Sequence, residues 1–426
     1  MSLTAPATHA IDRATCEALD AADPLAGFRE RFDLPEGVVY LDGNSLGALP
    51  RATAGHVQRV IAEEWGTGLI RSWNDAGWFT KPQALGDRIA PLIGAAAGEV
   101  VLGDSTSASL FQVAVAAARL RPERRVIVSE RGNFPTDLYV LEAVQELAGG
   151  AAPLERRLID DDGPGLDEVL GDDVAVVVLT HVNYRTGRMY DLADVTRRVH
   201  EAGAIMVWDL CHSVGAVPVD LNAAGADFAF GCTYKYLNGG PGSPSFIWVA
   251  ERHQSAARPA ITGWHGHADP FSFDVGYAPA PGVTRFRVGT PQLLSVAALE
   301  ASLDLWEDVD LAQLREKSLR LTELFISLVD ARLAAWGVEV VTPRQSARRG
   351  SQVSIRTDRA DGYAVVQALI ERGVIGDYRA PDLMRFGFTP LYVTHADVWD
   401  AVAVLEDVLA TEVWREPRFA RRGAVT

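Results

Sequence analysis

Ala204-Ile-Met-Val-Trp-Asp209 and, with its lysine 26 positions beyond that aspartate, Thr233-Tyr-Lys235-Tyr-Leu-Asn-Gly-Gly-Pro-Gly-Ser243 decide how this chain is read. The first is an apolar run that ends on a carboxylate. At the edge of a buried strand an isolated carboxylate is costly, so it needs a cationic partner or takes up a proton. The second puts a lysine just after another strand candidate, at the entry to a glycine-rich turn, where desolvation can lower its pKa and make it a nucleophile. Each piece alone has a plainer explanation. Asp209 could pair with an arginine or cap the next helix, and a lysine near glycines is usually solvated.

Outward from this pair the pattern repeats. Short apolar runs fall at Val100 to Leu102, Arg125 to Ser129, Leu154 to Ile159, Val174 to Thr180, Ala204 to Trp208, Asp227 to Phe230 and Ser245 to Val249. Helical periods lie at Leu110 to Leu120, Leu138 to Leu147 and Leu192 to Glu201. Strands apolar on both faces belong to a sheet covered by helices on each side. The expectation is an α/β domain over residues 50–300 with a mainly parallel seven-stranded sheet. After Pro291 one long helix from Leu293 to about Leu333 is expected. Strands at Val338 to Val341 and Gln352 to Ile355 follow, then helices from Tyr363 to Arg372 and Val398 to Ala410, as a smaller α+β domain over 301–426. Residues 1–49 are expected to pack with that smaller domain. No repeat stands out, and the basic stretch from Arg415 to Arg422 reads as a solvated end.

Composition narrows the function. The chain has 426 residues, 48% hydrophobic and 23% charged, enough for two cores. A net charge of -16 disfavours nucleic acid and anionic lipid as partners. Three widely spaced cysteines, Cys16, Cys211 and Cys232, suit a reduced compartment. The acidic start and the lack of any run near the roughly 18 apolar residues of a membrane span point to the cytoplasm. His265 and His267 form a His-x-His pair without a third ligand at suitable spacing, so a metal site is not expected.

Asp209 and Lys235 together meet two needs of pyridoxal phosphate: an amine for its aldehyde and a carboxylate to keep its ring nitrogen protonated. Gly103-Asp-Ser-Thr-Ser-Ala-Ser109 opens a helix and offers Thr106 and Ser107 to a phosphate, or is simply a well-supplied N-cap. Asn133-Phe-Pro-Thr-Asp137 offers an aromatic face beside a carboxylate, or is an ordinary helix start. These pieces follow different strands of one sheet and so converge on one crevice.

Seven runs then carry a specific resemblance: Tyr40-Leu-Asp-Gly-Asn-Ser-Leu-Gly47, Asp104-Ser-Thr-Ser, Asn133-Phe-Pro-Thr-Asp137, Trp208-Asp-Leu-Cys-His-Ser213, Thr233-Tyr-Lys-Tyr236, Gly263-Trp-His-Gly-His267 and Arg285-Phe-Arg-Val-Gly-Thr-Pro291. Over residues 30–400 the chain resembles the kynureninases, within the class V aminotransferase-like, fold-type I enzymes. The resemblance implies that Lys235 forms the Schiff base and shuttles the α-proton, with Asp209 on the pyridine nitrogen and His212 beside it. Thr106, Ser107 and Tyr234 hold the phosphate, and Tyr234 is also the candidate acid/base group. Phe134 stacks on the ring, and Phe134, Pro135, Thr136 and Asp137 complete the cofactor wall. Residues matching Trp264 and Thr290 reach the phosphate from the neighbouring subunit, which implies a homodimer. Arg385 binds the substrate α-carboxylate, while Asn44, Ser45 and Trp73 lie where the family contacts substrate. The aromatic residues around Trp73 read equally well as core.

The implied reaction is hydrolytic Cβ–Cγ cleavage of L-kynurenine to anthranilate and L-alanine. Position 290 is Thr where animal-type relatives carry Asn, and the Trp73 region looks bacterial-type, so L-kynurenine is expected over its 3-hydroxy analogue. A cysteine desulfurase or class V aminotransferase would share Lys235 and Asp209. A desulfurase would carry His where Thr233 stands and a cysteine after Cys232. A non-catalytic regulator would have lost Lys235 or Arg385.

Overall fold

The computed structural model describes residues 11–148, 153–160 and 165–423. The chain divides into two compact units, residues 45–184 with 188–311, and residues 1–44 with 185–187 and 312–426.

The larger unit is built on a seven-stranded sheet. Its order is Val100–Leu102, Phe246–Val249, Phe228–Gly231, Ile205–Asp209, Val174–Thr180, Val126–Glu130, Glu155–Ile159. From Phe228–Gly231 to Glu155–Ile159 neighbouring strands are parallel, whereas Phe246–Val249 runs antiparallel to both of its neighbours. All seven residues of Val174–Thr180 are buried, with no alternation, as a sheet covered on both faces requires. Helix Thr106–Arg119 supplies much of the cover: Leu110, Val113, Ala114 and Ala117 join Ile127, Val176, Val207 and Phe228 in one core. Each expected strand is present within a residue or two, because an apolar β-branched run of this length has no other way to bury both faces.

One expectation fails. The long helix from Leu293 is two helices, Leu293–Trp306 and Leu311–Arg332. The break falls on Glu307-Asp308-Val309-Asp310, where aspartate side chains favour turns and caps over a helix interior. A boundary at residue 300 would cut the first of these helices, and the division lies after Leu311.

In the smaller unit a four-stranded antiparallel sheet has the order Asp377–Arg379, Leu383–Gly387, Gln352–Arg356, Glu339–Val340. Val39–Tyr40 pairs in parallel with Val374–Ile375. Helix Arg13–Ala21 packs on His395–Ala410, where the Asp20 carboxylate accepts from the backbone N–H groups of His395 and Ala396 at 2.7 and 2.9 Å. Lys317 and Asp23 form a buried ion pair at 2.6 Å. Residues 185–187 belong here because Thr342 donates to Thr186 O and the N–H of Gly350 to Gly187 O.

Candidate active site

The C-terminal ends of the parallel strands carry the chemistry. Asp209 ends its strand almost fully buried. Oδ1 accepts from the backbone N–H of Cys211 at 2.7 Å and Oδ2 lies 3.2 Å from the Thr180 hydroxyl. Lys235 is half-buried, and its Nζ lies 2.8 Å from His212 Nε2 and 5.8 Å from the centre of the Tyr234 ring. Burial, and after it the neighbouring Cys232, Cys211 and Asp209, push the Tyr234 phenol above its ordinary value, so it is a proton donor at neutral pH.

Asp137 stands in the first turn of helix Pro135–Ala148, where a carboxylate meets the positive end of the dipole. Burial and then the Asp209 charge nevertheless push its carboxyl well above the usual range, against the pull of Lys235. Its Oδ2 is buried without a hydrogen-bond partner. Two carboxylates and an amine therefore feel one another's charge, and one oxygen is held dry and unmet. Of the remaining turn residues, Phe134 and Pro135 are exposed and Thr136 is half-buried. Phe134 stands edge-on to Tyr184 with 5.2 Å between ring centres.

Beside this group is a cavity of about 490 Å³ lined by Ser45, Asp104, Thr106, Cys232, Tyr234 and Gln292, among others. Thr106 is the first residue of its helix, and the Ser105 side chain caps it by accepting from Ala108 N at 3.3 Å. Ser107 follows in the same half-buried first turn. Gly47 fixes the far wall. Its N–H donates to Tyr234 O at 2.8 Å, and a Cβ there would sit 2.2 Å from Lys235 O. The Asn-Ser-Leu-Gly run thus ends on glycine because the lysine backbone passes against it.

Ser45, Thr106, Tyr234, Lys235, His212, Asp137 and Asp209 are thus gathered in the larger unit. Trp73 and Trp264 meet each other instead, 5.4 Å apart, among Trp78, Phe79, His265 and Phe271. Thr290 is exposed. In the smaller unit Asn44 is buried and donates to Gln352 Oε1 at 3.2 Å. Arg385, also buried, presents Nε and Nη2 to the two oxygens of Asp377, its partner across the strand pair.

Sequence reasoning missed Thr180, whose hydroxyl reaches both Asn133 Oδ1 and Asp209 Oδ2. The signal was available: like Asp209, Thr180 is a polar residue closing an all-apolar parallel strand. Among the described residues no three His, Cys, Asp or Glu side chains converge as metal ligands, and no helix is long and apolar enough to cross a membrane.

Solved structures with this fold include a cysteine desulfurase of Escherichia coli, 21% identical, TM-score 0.75, covering 91% of this chain and 98% of that one. A cysteine desulfurase of Thermococcus onnurineus is 20% identical with TM-score 0.76, covering 90% and 98%. At that identity only the fold is shared. Closer similarity comes from sequence. Residues 314–405 match the family described as Kynureninase C-terminal domain. A kynureninase of Burkholderia pseudomallei is 56% identical over 413 residues, 96% of this chain and 98% of that one. One of Pseudomonas fluorescens is 53% identical over 418 residues, 97% and 99% of the two chains. With such identity along nearly its whole length, and with a lysine, two carboxylates and a phenol gathered at the end of a parallel sheet, this chain belongs to the kynureninase family.

Proposed function

We propose that the protein hydrolyses the Cβ–Cγ bond of L-kynurenine to give anthranilate and L-alanine in tryptophan catabolism, with pyridoxal phosphate carried on Lys235. The observation that carries the cofactor is the buried, unpartnered Oδ2 of Asp137 beside Asp209 and Lys235. A dry acceptor of this kind fits a ligand that brings its own hydroxyl or N–H. Pyridoxal phosphate, when bound, supplies the electron sink that lets bonds at the substrate's α and β carbons break.

The chain's own residues do the rest. Lys235 would hold the cofactor's aldehyde and would serve as the base for the α-proton, with His212 Nε2 within reach of its Nζ to relay it. Asp209, fixed by Cys211 N–H and the Thr180 hydroxyl, keeps the ring nitrogen protonated. Thr106, Ser107 and Tyr234 hold the phosphate at a helix N-terminus, and the exposed face of Phe134 covers the ring. Tyr234, protonated by virtue of its burial, gives its proton to the leaving side of the substrate. Arg385 takes the α-carboxylate by paired hydrogen bonds, and Asn44, Ser45 and Trp73 contact the remainder of the substrate. Thr290 favours L-kynurenine over its 3-hydroxy analogue.

The working form is a cytoplasmic homodimer in which Trp264 and Thr290 reach the partner's phosphate. The exposure of both, and of Phe271, Phe273 and Val275 between them in sequence, supports that reading. A desulfurase reading lacks the cysteine it needs on a later loop, since no cysteine follows Cys232. The test is direct. Protein supplied with pyridoxal phosphate and L-kynurenine should release fluorescent anthranilate, and borohydride should fix the cofactor to the peptide holding Lys235. Absence of anthranilate from loaded, folded protein, or labelling of another lysine, overturns the assignment. Sedimentation at micromolar concentration checks the dimer.

A further inference from the structure

We infer that Cys211 and Cys232 form an oxidant-responsive dithiol built into the floor of the site. Asp209 pairs in register with Phe230 on the neighbouring parallel strand, and each cysteine lies two residues farther along its own chain. Adjacent strands run about 4.8 Å apart, inside the roughly 4.4–6.8 Å Cα separation that a disulfide spans. The two residues are in contact: the Cys232 thiol donates to the Cys211 backbone carbonyl with Sγ 3.6 Å from the oxygen. Both cysteines are buried, Cys232 in the wall of the cavity beside Tyr234 and Cys211 outside that lining.

The two sulfurs differ in the way a peroxide-sensing pair requires. Burial works to raise Cys232, but the Cys211 hydrogen bond, the Lys235 charge and the Lys235 N–H outweigh it, and the thiol falls below its ordinary value. Cys211 moves the other way, through the hydrogen bond to Cys232 and through burial. As the cysteine in the cavity wall, Cys232 is the attacking sulfur and Cys211 the resolving one. With a hydroperoxide as oxidant, the Cys232 sulfur forms an S–O bond as the O–O bond breaks, and the departing oxygen leaves as water after taking a proton. Cys211 sulfur then attacks the sulfenic sulfur, the S–S bond forms, the S–O bond breaks, and a second water leaves. Two thiols are oxidised by two electrons and one hydrogen peroxide is reduced to two waters. The new link ties the residue after next from Asp209 to the third residue before Lys235, and so holds both catalytic groups off their reduced positions.

The chemistry stands on the structure alone; only its effect on turnover rests on the proposed function. Neither lysine nor arginine occurs between residues 199 and 234, so one tryptic peptide, 199–235, carries both cysteines. Cofactor-free protein treated with hydrogen peroxide, denatured and alkylated should give that peptide lighter by two hydrogens and unalkylated, with Cys16 alkylated. Dithiothreitol should restore both thiols. In Cys211→Ala, which keeps the backbone N–H to Asp209, the Cys232 sulfenic acid should persist and be trapped by dimedone. Loaded wild-type enzyme should lose at least tenfold in anthranilate release on oxidation and regain it with dithiothreitol. Peptide 199–235 alkylated at both cysteines, or carrying Cys232 sulfinic acid with Cys211 free, overturns the inference. So does a linked protein with an unchanged rate. An enzyme inactive before oxidation would count against the proposed function and leave the mapped link standing.

Discussion

Two buried aspartates at opposite ends of the large sheet show how differently the same side chain is used. Asp227, at the N-terminal end, is saturated. His200 and His253 each reach it at 2.7 Å, Arg252 at 2.6 Å, and the N–H of Met206 donates at 2.8 Å. Those bonds outweigh its burial and hold its carboxyl below the usual range. Asp137, at the C-terminal end, has one oxygen unmet and a carboxyl pushed up. A carboxylate that serves the fold is satisfied by the fold; one that serves a ligand is left wanting.

Substitutions can break this contrast. Asp209→Ala should cost turnover the most, at least about a thousandfold, by removing a preorganised charge where charge develops, while thermal stability changes little. A rate within tenfold of wild type would make Asp209 structural. Asp227→Ala should do the reverse, losing about 3–5 kcal/mol of stability because two histidines and an arginine lose their shared partner, with kcat near normal in the protein that remains folded. Chemical denaturation and kinetics on one preparation separate the two effects. Acid should reveal the same clamp. Because the folded-state pKa of Asp227 is depressed, its contribution is whole above about pH 4 and drains away as pH falls below that. The wild-type stability slope in that range should flatten in the alanine variant.

Arg385 gives an intermediate case, a guanidinium satisfied by Asp377 and also proposed to meet substrate. Arg385→Lys keeps charge but loses the fork. It should reduce kcat/KM for L-kynurenine by roughly 10 to 150-fold, the equivalent of ~1.5–3 kcal/mol for a charged hydrogen bond, and leave cofactor loading intact. Unchanged kcat/KM in folded protein would confine Arg385 to its pair with Asp377. The smallest effect is expected at Asp137. Asp137→Asn relieves a buried charge, so the cofactor-free protein should gain about 0.5–2 kcal/mol while its affinity for pyridoxal phosphate falls. Loss of stability would show that the unmet oxygen has a structural partner.

How much of this was legible depended on length and on isolation. The sheet was readable because Val174–Thr180 and its neighbours are apolar runs that nothing else explains, and Asp209 and Lys235 stood out as charges at their ends. Thr180 closes its apolar strand just as Asp209 does, but an uncharged hydroxyl there carries little cost and so drew no notice. Val39–Tyr40 and Asp377–Arg379 are two and three residues long, too short for any period to show. The break at Asp308 and Asp310 was hidden by apolar helical patterns that continue on both sides. Asp227 read only as the start of a strand, since its partners His200, Arg252 and His253 come from separate stretches of the chain.

The antiparallel strand Phe246–Val249 has a consequence for synthesis. It is the last strand of its sheet to leave the ribosome, yet it is the ladder partner of the first, Val100–Leu102. At about 5–20 residues per second, the first strand waits roughly seven to thirty seconds with its edge unpaired. The stretch that ends the wait follows directly on the Lys235 turn. The nascent sheet therefore closes only as the lysine loop is drawn into place, and a chain released before Phe246 would carry an open edge and no finished site.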